Sequence, residues 1–154
     1  MEKSGFFNSS DGDRIYDAAD FAAYFGSLVS NGVFYMAVSV AAGSAWINGY
    51  RYENTDNLNI SLTTANGSNP RIDRIVVRLN QISRSIQIAV IDGTPATTPV
   101  APALTRTSDI YELGIADVLV PTAATSIVTN NITDTRLNTE LCGLVNSLVS
   151  AVYE

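Results

Sequence analysis

Histidine is absent from this 154-residue sequence, and cysteine occurs once, at Cys142. Without histidine there can be no Ser-His-Asp or Cys-His catalytic site and no metal site with an imidazole ligand. A single cysteine can form neither an internal disulfide nor a thiolate cage for a metal. We therefore expect synthesis in a reducing compartment, and we predict no cofactor.

Charged residues are also scarce. They make up 16% of the chain, whereas soluble domains average about 25%. The net charge is −6 and the only lysine is Lys3, so the clustered cations that neutralise nucleic-acid phosphates are missing. Amide and hydroxyl side chains take their place, which is typical of proteins that lie against other proteins.

Long apolar runs are missing as well. No run reaches the roughly 18 residues of a membrane-spanning helix, and Met1–Asn8 has neither the apolar core nor the cleavage site of a signal peptide. Glycine-rich phosphate loops and a Gly-x-Ser-x-Gly elbow do not occur. Asp11–Asp13 begins like a calcium loop, but the rest of that loop is absent.

The sequence instead contains a stretch of strand signals from Ala45 to Ile91. Asn48-Gly49, between two runs rich in aromatic residues, predicts a two-residue hairpin turn. Alternating apolar residues at 58, 60 and 62 predict the next strand. Two further runs, Arg71–Leu79 and Arg84–Ile91, are joined by a short polar link and predict a second hairpin.

Two segments have the apolar spacing of helices. Apolar residues recur with a 3.6-residue period between Asp17 and Ser30, and Asn31-Gly32 provides a stop signal. Asn138–Val152 is the second predicted helix, with Asn138 as its N-cap. Between them, Asp109–Val120 predicts a strand, and three prolines between Gly93 and Pro102 predict an extended crossing over the surface.

These patterns predict one domain over residues 1–154 that is mainly β. We expect an antiparallel β-sandwich or a partly open barrel with one helix near each terminus. The predicted parts are an N-terminal arm at 1–16, a helix at 17–30, a β domain at 33–136 and a C-terminal helix at 138–152. Phe6, Phe7 and Tyr16 are too apolar for a free arm, so they either fold back on the domain or dock on a partner.

The C-terminal helix has apolar residues spaced 4-3-4, the spacing of a coiled-coil seam. Such a stripe either packs on the chain's own sheet or joins several chains in a symmetric bundle. The predicted oligomer contacts are Leu141, Val145, Leu148 and Val152.

Two other groups of side chains could carry a function. Trp46, Tyr50 and Tyr52 surround the first hairpin, and flat rings of this kind either stack on sugars or fill a core. A glycosidase needs two facing carboxyl groups. The candidates are Asp73, Glu112, Asp117 and Asp134. Acids beside arginines, such as Asp73 and Asp134, are more often ion pairs.

A series of short motifs, taken in order, resembles a known family. The motifs are Ser4–Asn8, Gly12–Tyr16, Asp20–Phe25, Ala45–Asn54, Arg71–Arg78, Gly93–Ala96, Pro102–Leu104, Tyr111–Leu113 and Ile132–Arg136. They resemble the N-terminal domain of tail-fibre, baseplate or receptor-binding structural proteins from tailed phages and prophages of Gram-positive gut bacteria.

The resemblance implies a virion structural protein without enzymatic activity, made in the bacterial cytoplasm and located in the tail or baseplate. Such domains anchor a fibre or a receptor-binding module to the baseplate, and the family tends to be trimeric. The expected partners are further copies of the chain and other tail proteins. A module that binds host-surface carbohydrate is the first alternative, and a glycosidase-like enzyme is the second. Since the chain stops at Glu154, it is either a fragment of a longer fibre or a short baseplate component.

Overall fold

The computed structural model describes residues 2–5, for their backbone, and residues 36–143. This part of the chain is mainly β, and all its strand pairs are antiparallel. The strands are β1 (Glu2–Gly5), β2 (Ala37–Val40), β3 (Gly43–Ile47), β4 (Tyr50–Asn54), β5 (Leu58–Ser61), β6 (Arg71–Asn80), β7 (Ser85–Ile91), β8 (Ile110–Val120) and β9 (Ile132–Asp134), with one 3₁₀ turn at Thr129–Asn131.

The largest sheet has four strands in the order β7-β6-β8-β9. The predicted hairpin between β6 and β7 is confirmed, with Asn80 opposite Ser85. The Asn80 side chain closes its turn, because Oδ1 accepts hydrogen bonds from the backbone N–H groups of Ile82 and Ser83. This sheet positions the arginines of β6 and the carboxylates that pair with them.

A bulge interrupts the pairing of β6 with β8. Ile75 lies opposite Ala116, but Val76 lies opposite Gly114, so Ile115 is an extra residue on β8. The bulge redirects two carbonyl groups towards the chain that follows β9. Thr135 donates its backbone N–H to the Ile115 carbonyl and its hydroxyl to the Gly114 carbonyl.

Two smaller sheets, β1-β4-β3 and β2-β5, complete the described strands. The predicted Asn48-Gly49 turn is confirmed, because both residues have positive φ, 49° and 83°. That conformation matches the twist of a two-residue hairpin and suits asparagine and glycine. Residues 2–5 of the predicted N-terminal arm form a strand that pairs with β4.

One hydrophobic core joins the sheets. It includes Val40 from β2, Ile47 and Tyr52 from the first hairpin, and Ile75 and Val118 from the four-stranded sheet. The small sheets therefore pack on the same face of the four-stranded sheet. None of the three described sheets closes into a barrel.

The opposite face of the four-stranded sheet is crossed by the chain between β7 and β8. The predicted extended crossing is confirmed, since no helix or strand occurs from 92 to 109. Pro102 and Thr105 bind side chains of the sheet through backbone atoms, and Leu104 lies over Gly114.

Neither predicted helix is observed in the part of the chain that the structure describes. The segment 17–30 and the residues from 144 to 152 lie outside the described residues. Residues 138–143, where the second helix was expected to begin, form turns instead. The backbone N–H of Gly143 bonds back to the Arg136 carbonyl, and Gly143 has a φ of 88°. A left-handed residue at that position ends any helical turn begun at Asn138.

Candidate functional site

Three arginines of β6 form ion pairs with nearby carboxylates. Arg71, Arg74 and Arg78 pair with Asp73, Asp117 and Glu112 respectively. Because side chains alternate along a strand, Arg74 and Arg78 share the face crossed by the segment after β7, whereas Arg71 and Asp73 share the core face. Each pair has a different set of additional contacts. Those contacts show which guanidinium nitrogens are bonded within the fold and which could bind a ligand.

Arg71 and Asp73 form a buried ion pair. Nε of Arg71 lies 2.9 Å from Oδ1 of Asp73, and the Asp73 side chain is fully buried. The Nη atoms of Arg71 also donate to the carbonyl groups of Thr63 and Thr64, and Gly93 donates its backbone N–H to Oδ1 of Asp73. The pair thus ties two loops to the start of β6.

Arg74 ties the crossing segment to the sheet. It binds both carboxylate oxygens of Asp117, at 2.7 and 2.9 Å, and donates its remaining Nη1 to the Pro102 carbonyl at 2.6 Å. The hydrogen bond from Arg74 to Asp117 raises the pKa of the guanidinium. Every nitrogen of this guanidinium is therefore engaged.

Arg78 is bound differently. Its Nε donates to Oε1 of Glu112 at 2.6 Å, and Oε2 of Glu112 accepts the backbone N–H of Thr105 at 2.6 Å. Glu112 is 1% exposed, but the Arg78 side chain is 31% exposed. Within residues 36–143, no group accepts a hydrogen bond from Nη1 or Nη2 of Arg78.

Arg78 lines an open groove of about 550 Å³. The strand register builds its floor in two rows, Gln87–Arg78–Glu112 and Ser85–Asn80–Ile110. Ser83 from the turn and Thr105 from the crossing segment also line it. We call this feature the hairpin groove. The sequence analysis did not single it out, although the predicted hairpin already places Arg78 near Gln87.

All four candidate carboxylates are bound by arginine. Besides the three pairs above, Asp134 binds Arg136 at 2.6 Å. The hydrogen bond from Arg136 lowers the pKa of Asp134, so this half-exposed group contributes a little stability above its unfolded pKa and loses it as the pH falls. The ion-pair interpretation is confirmed for Asp73 and Asp134.

The three aromatic rings of the first hairpin do not form one platform. Ala45 lies opposite Tyr52 and Ile47 opposite Tyr50, so both tyrosines are on the core face, and Trp46 is on the other face opposite Arg51. Tyr52 is fully buried, and Tyr50 packs against the core. Tyr52 cannot stack on a ligand because its ring is fully buried, so the three rings do not form the shared platform that the sugar-stacking alternative requires.

Leu141 is the only predicted oligomer contact among the described residues. It is half-buried, and its Cβ lies over Gly114. Its carbonyl accepts hydrogen bonds from the Gly114 backbone N–H and from Nη2 of Arg106. Leu141 therefore packs on its own sheet, which corrects its assignment to the seam.

The other predicted contacts, Val145, Leu148 and Val152, lie outside the described residues. So do the predicted docking residues Phe6, Phe7 and Tyr16.

Cys142 follows Leu141 and is half-buried. Burial raises the pKa of its thiol, so the reactive thiolate is disfavoured in the fold. We expect iodoacetamide at pH 8 to alkylate the folded chain at least about tenfold more slowly than the urea-unfolded chain. Because the folded pKa is the higher one, this group favours folding at low pH and less so as the pH rises. Equal alkylation rates in the folded and the unfolded chain, measured by mass spectrometry, would contradict this prediction.

No protein-family model matches the chain, and comparison with curated proteins and with solved structures finds no similar chain. Within the described residues, no group of three cysteine or acidic side chains is arranged to hold a metal ion. In the same part of the chain, no helix is both long and apolar enough for a membrane span.

Proposed function

We propose that the protein is a structural component of a phage tail or baseplate, an adaptor that anchors a fibre or receptor-binding module and has no enzymatic activity. One observation carries this proposal. The arginine–carboxylate pairs of β6 use their charges to tie loops to the sheet, as Arg74 does with Pro102. Ion pairs that attach loops to a sheet in this way suit a rigid scaffold. The ordered series of phage-like motifs supports the same function.

Packing of the two small sheets on one face of the large sheet supports a β-sandwich as the finer description of the fold. The proposed location is the virion, and the proposed partners are other tail proteins and further copies of the chain.

The assembly that we propose is a homotrimer held by Val145, Leu148 and Val152. Leu141 is left out because it packs on Gly114. Low charge and exposed apolar side chains just before this segment, such as Leu137 at 74% exposure, support burial against other chains.

Solution mass tests the trimer. The chain has a mass of 16.5 kDa, so light scattering should give about 50 kDa for the wild type. Replacing both Leu148 and Val152 with aspartate should reduce the mass to that of one chain, because like charges would meet at the symmetric contact.

Ile82→Asp is the matched control. Ile82 is 77% exposed at the end of the β6–β7 hairpin, so this substitution introduces one aspartate at an apolar position away from the proposed contact and should leave the mass unchanged. A monomeric wild type, or a double variant that keeps its mass, would refute the trimer.

The location is tested separately. Peptides of this chain should be found by mass spectrometry in tails purified from induced prophage particles. Their absence from the tails, with the gene expressed in the same cells, would refute the tail function whatever the oligomeric state.

A further inference from the structure

The hairpin groove contains a cation whose terminal nitrogens are not used by the fold. The Nη atoms of Arg71 and Arg74 donate hydrogen bonds to carbonyl groups and carboxylates of the fold. Arg78 is oriented by Glu112 through Nε alone, and among the described residues its Nη atoms have no partner. A buried carboxylate thus holds this guanidinium through Nε, and its Nη atoms remain available to a ligand of the groove that Arg78 lines.

The other groups of the groove leave mainly donors for a ligand. Both oxygens of Glu112 are occupied, by Nε of Arg78 and the backbone N–H of Thr105. Oδ1 of Asn80 is occupied by two N–H groups of the turn, so its amide NH₂ is what remains. A ligand that fits must therefore supply acceptor atoms.

A carboxylate is the acceptor that matches this geometry. The Nη1 and Nη2 atoms of a guanidinium form a planar fork that binds both oxygens of one carboxylate. Since Glu112 already balances the charge of Arg78 and the chain carries a net charge of −6, the site disfavours a polyanion.

The rest of the lining suits hydroxyl groups. Gln87 is exposed beside Arg78, and the hydroxyls of Ser83 and Ser85, 2.7 Å apart, stand at the turn. Ile110 adds an apolar surface at the floor. The volume of about 550 Å³ is within the usual range of small-molecule sites.

From these contacts we propose that the hairpin groove binds an acidic sugar of the uronic acid type. The carboxylate binds the Nη fork of Arg78, and the ring hydroxyls bind Asn80, Gln87 and Ser85. This site is on the opposite side of the fold's central sheet from Tyr50 and Tyr52. It does not depend on the proposed assembly.

Titration of the full chain followed by ¹H–¹⁵N correlation spectra tests the proposal. The probes are D-glucuronate, D-glucose, which lacks the carboxylate, and acetate, which lacks the hydroxyls. Glucuronate should shift the side-chain amide signals of Asn80 and Gln87 saturably, with a Kd in the millimolar range. Glucose and acetate should bind at least about tenfold more weakly, because each lacks one half of the interaction.

Three variants assign the binding to the groove. Arg78→Lys keeps the charge beside Glu112 but removes the planar fork, and should weaken glucuronate binding about tenfold. Gln87→Ala, at an exposed position, should weaken it by roughly threefold or more. Arg84→Lys makes the same chemical change at an exposed arginine of the same turn and should bind like the wild type.

The proposal is overturned if glucuronate gives no saturable shift, or if glucose or acetate binds as well as glucuronate. It is also overturned if Arg78→Lys, with wild-type thermal melting, binds normally. Should Arg78→Lys fail to fold, Gln87→Ala decides the matter, since unchanged binding in that variant refutes the site.

Discussion

Asp73→Ala should destabilise the protein by about 3–5 kcal/mol, the usual cost of removing one partner from a buried ion pair. The Arg71 side chain is 5% exposed, so it would keep a buried charge with no carboxylate beside it. The backbone N–H of Gly93 would also lose its acceptor, 2.8 Å away in the wild type. Urea unfolding, followed by the fluorescence of the single tryptophan Trp46, measures the change.

Two further substitutions test the reason for this cost. Asp73→Asn keeps an acceptor for Gly93 but removes the charge, so it should lose most of the same stability. Asp92→Ala removes an exposed carboxylate whose one hydrogen-bond partner among residues 36–143 is the hydroxyl of Thr63 at 3.3 Å, and should change stability by no more than about 0.5 kcal/mol. If Asp73→Ala lowers the unfolding free energy no more than Asp92→Ala does, the buried ion pair of Arg71 and Asp73 does not stabilise the fold.

Gly93→Ala should cost about 3 kcal/mol or more, through collision with the main chain. A Cβ at this position would overlap the carbonyl oxygen of Ile72 and lie 2.8 Å from its carbonyl carbon. Since the obstacle is backbone in β6, no side-chain rotation relieves it. Relief requires movement of the loop, and that movement breaks the hydrogen bond to Asp73. The unfolding free energy and the melting temperature should both fall.

Gly67→Ala is the matched control for this prediction. Gly67 has no positive φ, and nothing lies within 4 Å of its Cβ position. The same substitution should therefore be neutral there, or stabilise by roughly 0.5 kcal/mol through the unfolded chain. Similar stabilities for the two variants would show that close approach of the chains does not explain Gly93.

Several elements could be predicted because their signals are local. The Asn48-Gly49 turn depends on two residues that accept positive φ. The two-residue turn also determines that positions 45 and 52 face one way and 46 and 51 the other. The separation of Trp46 from Tyr52 therefore follows from the sequence alone.

The beginning of the C-terminal helix was predicted from a local period and is wrong for residues 138–143. Helical spacing describes where apolar residues would lie if the backbone were helical. Here the Leu141 carbonyl binds Gly114, and the Gly143 N–H binds Arg136. The contact with Gly114, which is 27 positions away, and the turn closed at Arg136 outweigh the small intrinsic preference of a short segment for helix.

The sequence by itself determined the hairpins and the antiparallel β class and indicated an ion pair between Asp73 and a neighbouring arginine, because turn residues and alternation act over a few positions. Only the tertiary structure decided that Arg74 meets Asp117 and that Arg78 meets Glu112, which are 43 and 34 positions apart. Those pairs depend on the register of β6 with β8, and the bulge at Ile115 shifts that register by one residue. The hairpin groove depends on the same register, because the alignment of β8 beside the β6–β7 hairpin is specified by no local pattern.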